Sequence, residues 1–148
     1  MAHLNRGGAE VARENGIRAL TDVTGFGLLG HLSEMCRASK VCADLWFDSL
    51  PFLPGAVELV RQGIVPSGTW RNLEFVEPWT VFAEALEPWQ RLLCADAQTS
   101  GGLLLCVPPD RVEAVVATLL ERSTPAAAVI GRVRSQDDVM MRVLAARA

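Results

Sequence analysis

The sequence predicts an α+β domain in which helices pack on a mostly antiparallel sheet. Apolar residues recur at helical spacing in several segments, and short runs rich in apolar and β-branched residues lie between them. The order of these segments is strand, helix, strand early in the chain and strand, helix, strand, strand at its end. This order lacks the regular alternation of strand and helix that a doubly wound parallel sheet requires.

Length and composition indicate one globular domain. The chain has 148 residues, of which half are hydrophobic and 21% are charged. Its longest apolar runs are too short to span a bilayer, and the first residues lack the apolar core of a signal peptide. We therefore expect a cytoplasmic protein without membrane contact. A net charge of −3 provides no basic field for nucleic acid.

In the first half of the chain, apolar periodicity and Gly and Pro stop signals predict three helices and two strands. They are a helix at 4–14, a strand at 17–20, a helix from Leu28 onward, a strand at 41–47 and a helix at 56–62.

The second half of the chain begins with a turn-rich loop and ends with two predicted strands. Four aromatic and aliphatic residues, Trp79, Phe82, Leu86 and Trp89, form an apolar stripe that is typical of a core. The predicted elements are a loop at 64–72, a strand at 73–77, a fully buried strand at 103–107, a helix at 111–122, and a hairpin of strands at 126–133 and 139–144.

The four cysteines contain no Cys-x-x-Cys pair, and only two histidines are present to complete a zinc site. We therefore expect buried free thiols rather than disulfides or a metal centre.

The segment 21–32, TDVTGFGLLGHL, combines a carboxylate, two hydroxyls and three glycines at the start of a predicted helix. Unpaired N–H groups and the helix dipole favour an anion at such a position. Mg²⁺ binds one or two carboxylates together with phosphate oxygens and water, which suits Asp22, the only carboxylate between Glu14 and Glu34. The segment is therefore a candidate loop for phosphate and metal.

Two alternatives use the same residues. Gly25, Gly27 and Gly30 match the dinucleotide pattern G-x-G-x-x-G, but four residues intervene between the predicted strand and the first glycine. Asp22 could instead act structurally, by accepting backbone N–H bonds in an Asx-turn or at a helix N-cap. His31 lies within the first helical turns, where packing or hydrogen bonding is the more common role.

A second polar, glycine-rich segment, 96–104, reads DAQTSGGLL. Together with the segment 21–32, it closely resembles selenophosphate synthetases, also called selenide, water dikinases. The segments 50–56, 63–72 and 128–133 also resemble that family. The resemblance covers nearly the whole chain but only the C-terminal half of the family's proteins, a domain shared with aminoimidazole ribonucleotide synthetase.

The resemblance implies the fold of the aminoimidazole ribonucleotide synthetase C-terminal domain, which is partly ferredoxin-like. It also implies a reaction in which ATP, selenide and water give selenophosphate, AMP and phosphate. The N-terminal domain of the family, absent here, supplies the catalytic lysine, the reactive cysteine or selenocysteine and the main homodimer contact. We expect this chain to be one domain of such an enzyme, to hold no catalytic residue of its own and to be inactive alone.

The resemblance further implies which residues share Mg²⁺ and ATP with the N-terminal domain. Asp22 matches an aspartate that binds magnesium with the ATP phosphates, and Thr69 and Asn72 are expected in the groove that faces the N-terminal domain. The residues expected to shape the nucleotide loops are Thr21, Thr24, Gly25, Gly27, Thr99, Ser100 and Gly101. Two other functions remain open at this point: a domain of another ATP-dependent synthetase or kinase of the same superfamily, and a non-catalytic dimerisation or binding module.

Overall fold

The structure, a computed structural model, describes residues 5–122 and 124–147. Helices and strands alternate irregularly along the chain, which confirms the predicted α+β class. The helices are α1 (Arg6–Glu14), α2 (Gly27–Ser39), α3 (Ala56–Arg61), α4 (Ser67–Val76), α5 (Pro88–Cys94) and α6 (Val112–Glu121). The strands are β1 (Leu20–Asp22), β2 (Cys42–Trp46), β3 (Thr80–Phe82), β4 (Leu103–Leu105), β5 (Gly131–Arg134) and β6 (Met141–Leu144).

The strands form a four-stranded sheet, in the order β3-β6-β2-β5, and a separate antiparallel ribbon of β1 and β4. Strand β6 runs parallel to both β2 and β3, whereas β5 runs antiparallel to β2. Strand directions in the larger sheet are therefore mixed rather than mostly antiparallel. The predicted hairpin between the last two strands is wrong, because β2 lies between them. All five residues of β2 are buried, and a central position suits a strand that is buried on both faces.

Helix α4 replaces a predicted loop and a predicted strand. Pro66 precedes its first turn, where the fixed φ of proline is compatible with a helix, and Ser67 and Gly68 are tolerated there. Leu73 and Val76, three residues apart, pack into the main core. The β-forming residues at 73–77 misled the prediction because side-chain packing overrides local strand preference.

The ribbon also differs from the prediction. Strand β4 is short and partly rather than fully buried, because it pairs with β1 outside the main sheet. Strand β1 begins three residues later than predicted, so Asp22 is its last residue and not a loop residue. Helix α1 confirms the first predicted helix from Arg6 onward, and Leu4 lies outside the described residues.

The buried apolar residues form two clusters. The larger one lies between the four-stranded sheet and helices that include α2, α4 and α5, and the smaller one joins α1 to α6. The predicted apolar stripe belongs to the larger cluster. Helix α2 contributes to the larger cluster, while Leu20 of β1 packs against the smaller one. The segment that connects β1 to α2 therefore crosses from one core to the other.

All four cysteines carry free thiols. Cys36, Cys42 and Cys94 are buried, as predicted, whereas Cys106 is only partly buried. Within the described parts of the chain, no helix is long and apolar enough to cross a membrane.

Candidate functional site

The two glycine-rich segments, which are distant in sequence, lie side by side. Asp22 is paired with Leu103 in the β1–β4 ribbon. Beyond this pair, the N–H of Val23 donates to the carbonyl of Gly102 at 2.9 Å, and the N–H of Gly101 donates to the carbonyl of Val23 at 2.9 Å. The antiparallel pairing of β1 with β4 thus continues into the loops and joins both segments into one surface.

A shallow groove of about 420 Å³ lies at this junction. It brings together five of the eight residues predicted from the sequence for metal or nucleotide binding: Asp22, Thr24, Thr99, Ser100 and Gly101. Helix α1 supplies the opposite wall through Asn5, Arg6 and Ala9, which sequence reasoning did not place in the site.

Asp22 is exposed, and its carboxylate is held by a side chain from the start of α1. Asn5 Nδ2 donates to Asp22 Oδ1 at 2.7 Å and to the carbonyl oxygen of Gly101 at 3.1 Å. The N-cap position of α2 is occupied by Phe26, not by Asp22. Among the described residues no backbone N–H donates to this carboxylate, so the Asx-turn and N-cap alternatives do not describe its geometry. An Asn before a helix is readable from sequence, but its partner 17 residues away is not.

Thr24 is the second oxygen-bearing side chain of the first segment in the groove. Its Oγ1 lies 3.1 Å from Nε2 of His31, which is 8% exposed on the first turns of α2. On the other side of the ring, Nδ1 lies 3.6 Å from Oε2 of Glu34. The hydroxyl of Thr24 is therefore anchored by a buried imidazole.

Gly27 has a packing role. Its φ is +71°, and a Cβ at this position would lie 2.5 Å from the carbonyl oxygen of Ala95. Glycine favours this left-handed conformation, and its lack of a Cβ allows the close approach to the backbone of Ala95 and Asp96. Gly27 thus binds the two segments together rather than contacting the groove.

Gly25 and Thr21 also lie outside the groove. Gly25 lines a neighbouring groove of about 380 Å³ at the starts of α2 and α4, together with Phe26, Arg71 and Phe75. Thr21 pairs with Leu104 in the ribbon. The structure therefore separates the predicted residues into groove-lining ones and supporting ones.

Helix α4 holds the two segments from behind. Asn72 Nδ2 donates to the carbonyl oxygens of Gly25 at 2.8 Å and of Ala95 at 3.1 Å. The hydroxyl of Thr69, which is fully buried, donates to Asp96 Oδ1 at 3.0 Å and accepts from the N–H of Ala97 at 3.1 Å. Asn72 lines the neighbouring groove. Thr69 is buried and holds Asp96 and Ala97 of the second segment through its hydroxyl.

Oxygen-bearing side chains line the groove beside the amide of Asn5 and the guanidinium of Arg6. One carboxylate and the hydroxyls of Thr24, Thr99 and Ser100 surround it. The described residues contain no cluster of three or more His, Cys, Asp or Glu side chains that could enclose a metal ion. The donor set fits Mg²⁺, which binds through one or two carboxylates and takes its remaining ligands from phosphate and water. It does not fit a structural zinc site, which is closed by four protein ligands.

The sequence is similar to known proteins over most of its length. A family model described as "AIR synthase related protein, C-terminal domain" matches residues 3–143. A protein named "Selenide, water dikinase" from Cronobacter sakazakii is 49% identical over 120 residues, which are 79% of this chain and 34% of that protein. One of the same name from Porphyromonas gingivalis is 47% identical over 139 residues, 93% of this chain and 39% of that protein. One from Escherichia coli O157:H7 is 48% identical over 121 residues, which are 82% of this chain and 34% of that protein. The chain thus spans between a third and two-fifths of the length of these relatives.

Proposed function

This chain belongs to the AIR synthase related protein family, as its C-terminal domain, and we propose accordingly that it serves as the C-terminal domain of a selenide, water dikinase. The reaction is the conversion of ATP, selenide and water into selenophosphate, AMP and phosphate. An N-terminal domain of the same polypeptide would supply the nucleophile and the catalytic lysine and would form a homodimer. Such an enzyme is expected in the cytoplasm.

The observation that carries the proposal is the junction of the two segments around an exposed carboxylate. Asp22 lies in the groove with three hydroxyl side chains, and among the residues that the structure describes it is the only carboxylate that lines it. Two relatives named "Selenide, water dikinase" are 47% and 49% identical to the chain over most of its length.

Asp22 would hold Mg²⁺ together with ATP phosphates. Phosphoryl transfer depends mainly on positioning and on neutralising phosphate charge, so a domain that provides one metal ligand and a polar wall is essential without acting alone. Bound Mg²⁺ supplies charge neutralisation and a template for the phosphates. The chain's own contribution is to orient Asp22 through Asn5 and to hold the two segments in register through Gly27, Thr69 and Asn72.

The test is a hybrid enzyme in which this chain replaces the matching segment of the Cronobacter sakazakii relative. Formation of selenophosphate and AMP is followed by ³¹P NMR in the presence of selenide. We expect the hybrid to be active. An Asp22→Ala hybrid should lose at least about 100-fold in rate, as when one group that stabilises transition-state charge is removed. The control is a hybrid with Asp48→Ala, an exposed carboxylate away from the groove, which should keep its rate.

A folded hybrid without selenide-dependent activity would contradict the proposed function. An active Asp22→Ala hybrid would refute the metal-ligand role alone. Selenide-dependent ATP consumption by the isolated 148-residue chain would show that the chain is more than one part of the site.

A further inference from the structure

His31 does not line the groove, but its contacts indicate a role for it. The imidazole is buried, and the edge-to-face contact with Phe26, at a centroid distance of 5.7 Å, fixes its plane. Its two nitrogens face different partners: Nε2 faces the hydroxyl of Thr24, and Nδ1 faces the carboxylate of Glu34.

The carboxylate decides which nitrogen of the neutral ring carries the proton. A carboxylate only accepts hydrogen bonds, so a proton on Nδ1 is attracted by Glu34 and a lone pair there is repelled. At 3.6 Å this is a charge–dipole contact rather than a short hydrogen bond. Neutral imidazole has one N–H, and Nε2 is then the acceptor.

The hydroxyl of Thr24 must consequently be the donor in its 3.1 Å contact with His31. A hydroxyl has one proton and two lone pairs. With its proton directed to His31, Thr24 retains its lone pairs for the groove that it shares with Asp22. It can then accept a hydrogen bond or bind a cation, but it has no proton to give to a phosphate oxygen.

We infer that His31 is a positioning residue that holds the Thr24 hydroxyl as an acceptor, so that Thr24 and Asp22 together face a divalent cation and its bound water. The cation part of this inference rests on the proposed function. The arrangement of His31 and Thr24 rests only on the contacts of this chain.

The tautomer is tested by ¹H–¹⁵N correlation spectra of the chain in alkaline buffer, in which imidazoles are neutral. The sequence contains two histidines, so a His3→Gln variant leaves His31 as the only imidazole. We expect the proton on Nδ1 and a lone-pair nitrogen at Nε2. Glu34→Ala should shift the population toward Nε2–H, whereas Glu113→Ala, an exposed glutamate on α6, should not. If Nε2 carries the proton in the His3→Gln protein, in which His31 and Glu34 are unchanged, the inference is overturned.

The cation arm uses Mn²⁺, whose paramagnetism broadens amide signals near its site. Thr24→Val should weaken Mn²⁺ binding at 22–24 by about 2- to 10-fold, the usual value of one hydrogen-bonding group. His31→Phe should weaken it by a similar factor, and His31→Gln, whose amide oxygen accepts the Thr24 proton, should recover most of the loss. In the Thr24→Val background, His31→Phe should have no further effect.

An equal loss from His31→Phe in both backgrounds would show a merely structural role and overturn the inference. If Asp22→Ala leaves the Mn²⁺ broadening unchanged while the Nδ1–H tautomer is present, the proposed metal ligand is refuted and the His31–Thr24 arrangement is supported. Circular dichroism of each variant confirms that it is folded.

Discussion

Asn5 and Asp22, 17 residues apart in sequence, are joined by a hydrogen bond of 2.7 Å from Nδ2 to Oδ1. The same amide group reaches the carbonyl oxygen of Gly101 at 3.1 Å. One side chain at the start of α1 thus links both glycine-rich segments. Oδ1 keeps a second lone pair, and no side chain of the described residues donates to Oδ2, so the Asp22 carboxylate still has acceptor sites for a ligand.

Asn5→Ala should lower the free energy of unfolding by about 1 kcal/mol, the net value of a typical hydrogen bond. The reason is the loss of the link to Asp22 and Gly101, and urea denaturation measures it. Asn5→Asp should lower stability further, because two carboxylates would then face each other. Added MgCl₂ should recover part of the lost free energy of unfolding in Asn5→Asp but not in Asn5→Ala. Equal free energies of unfolding for the unsubstituted chain, Asn5→Ala and Asn5→Asp would show that the hydrogen bonds of Asn5 do not contribute to stability.

Gly27 and Gly25 form a matched pair of glycines in one loop. Gly27→Ala should destabilise the chain by about 3 kcal/mol or more, because it places a Cβ against the backbone of Ala95 at a positive φ. Gly25→Ala should stay within about 0.5 kcal/mol, since its added Cβ meets no atom within 4 Å in the described structure. Thermal unfolding of both variants measures the difference. Similar unfolding temperatures would contradict the role assigned to Gly27.

Asp44 anchors the edge strand β5 to β2 through two arginines. The carboxylate is 2% exposed, and its oxygens lie 2.9 Å from Arg132 Nε and 2.5 Å from Arg134 Nε. Asp44→Ala should cost about 3 kcal/mol, because the largely buried Arg134 loses its buried carboxylate partner and keeps only the half-exposed Asp137 as an ion-pair partner.

Arg132→Ala is the control for this ion-pair network, since the Arg132 side chain is 64% exposed. It should cost less than about 1 kcal/mol, as surface ion pairs do. Guanidinium denaturation measures both variants. A larger loss for Arg132→Ala than for Asp44→Ala would contradict this account.

Burial raises the pKa of the Cys94 thiol to about 12, and burial, followed by the nearby Cys42 and Cys106 thiols, raises that of Cys36 to about 11. In the unfolded chain these thiols ionise near pH 8.5. Above that pH the unfolded state binds fewer protons than the folded state, so stability should fall as pH rises toward 11. The loss is up to about 1.4 kcal/mol per pH unit and thiol.

The chain suits this measurement because it contains no tyrosine and a single lysine, Lys40. Urea denaturation between pH 8 and 10.5 should give a falling free energy of unfolding, and Cys94→Ala should reduce the slope. A thiol reagent at neutral pH should modify the partly exposed Cys106 before Cys94. A slope that is unchanged in Cys94→Ala would show that another group titrates.

Apolar periodicity and turn residues predicted those helices and strands whose extent depends mainly on their own sequence. The apolar periodicity of α1, α2, α3 and α6 was readable, and so was β2. The prediction failed at α4, whose β-forming residues pack as a helix face, and at the pairing of the last strands. Strand neighbours depend on which strand is buried most completely, and that property belongs to the assembled sheet.

The sequence by itself determined the two glycine-rich segments, the carboxylate of Asp22 within the first of them and, through both segments together, the family. Only the tertiary structure decided that Asn5 holds this carboxylate, that His31 holds Thr24 and that Gly27 packs against Ala95. The physical reason is that a residue's chemistry is intrinsic to its side chain, whereas its partners are set by chain segments that meet only when the two cores form.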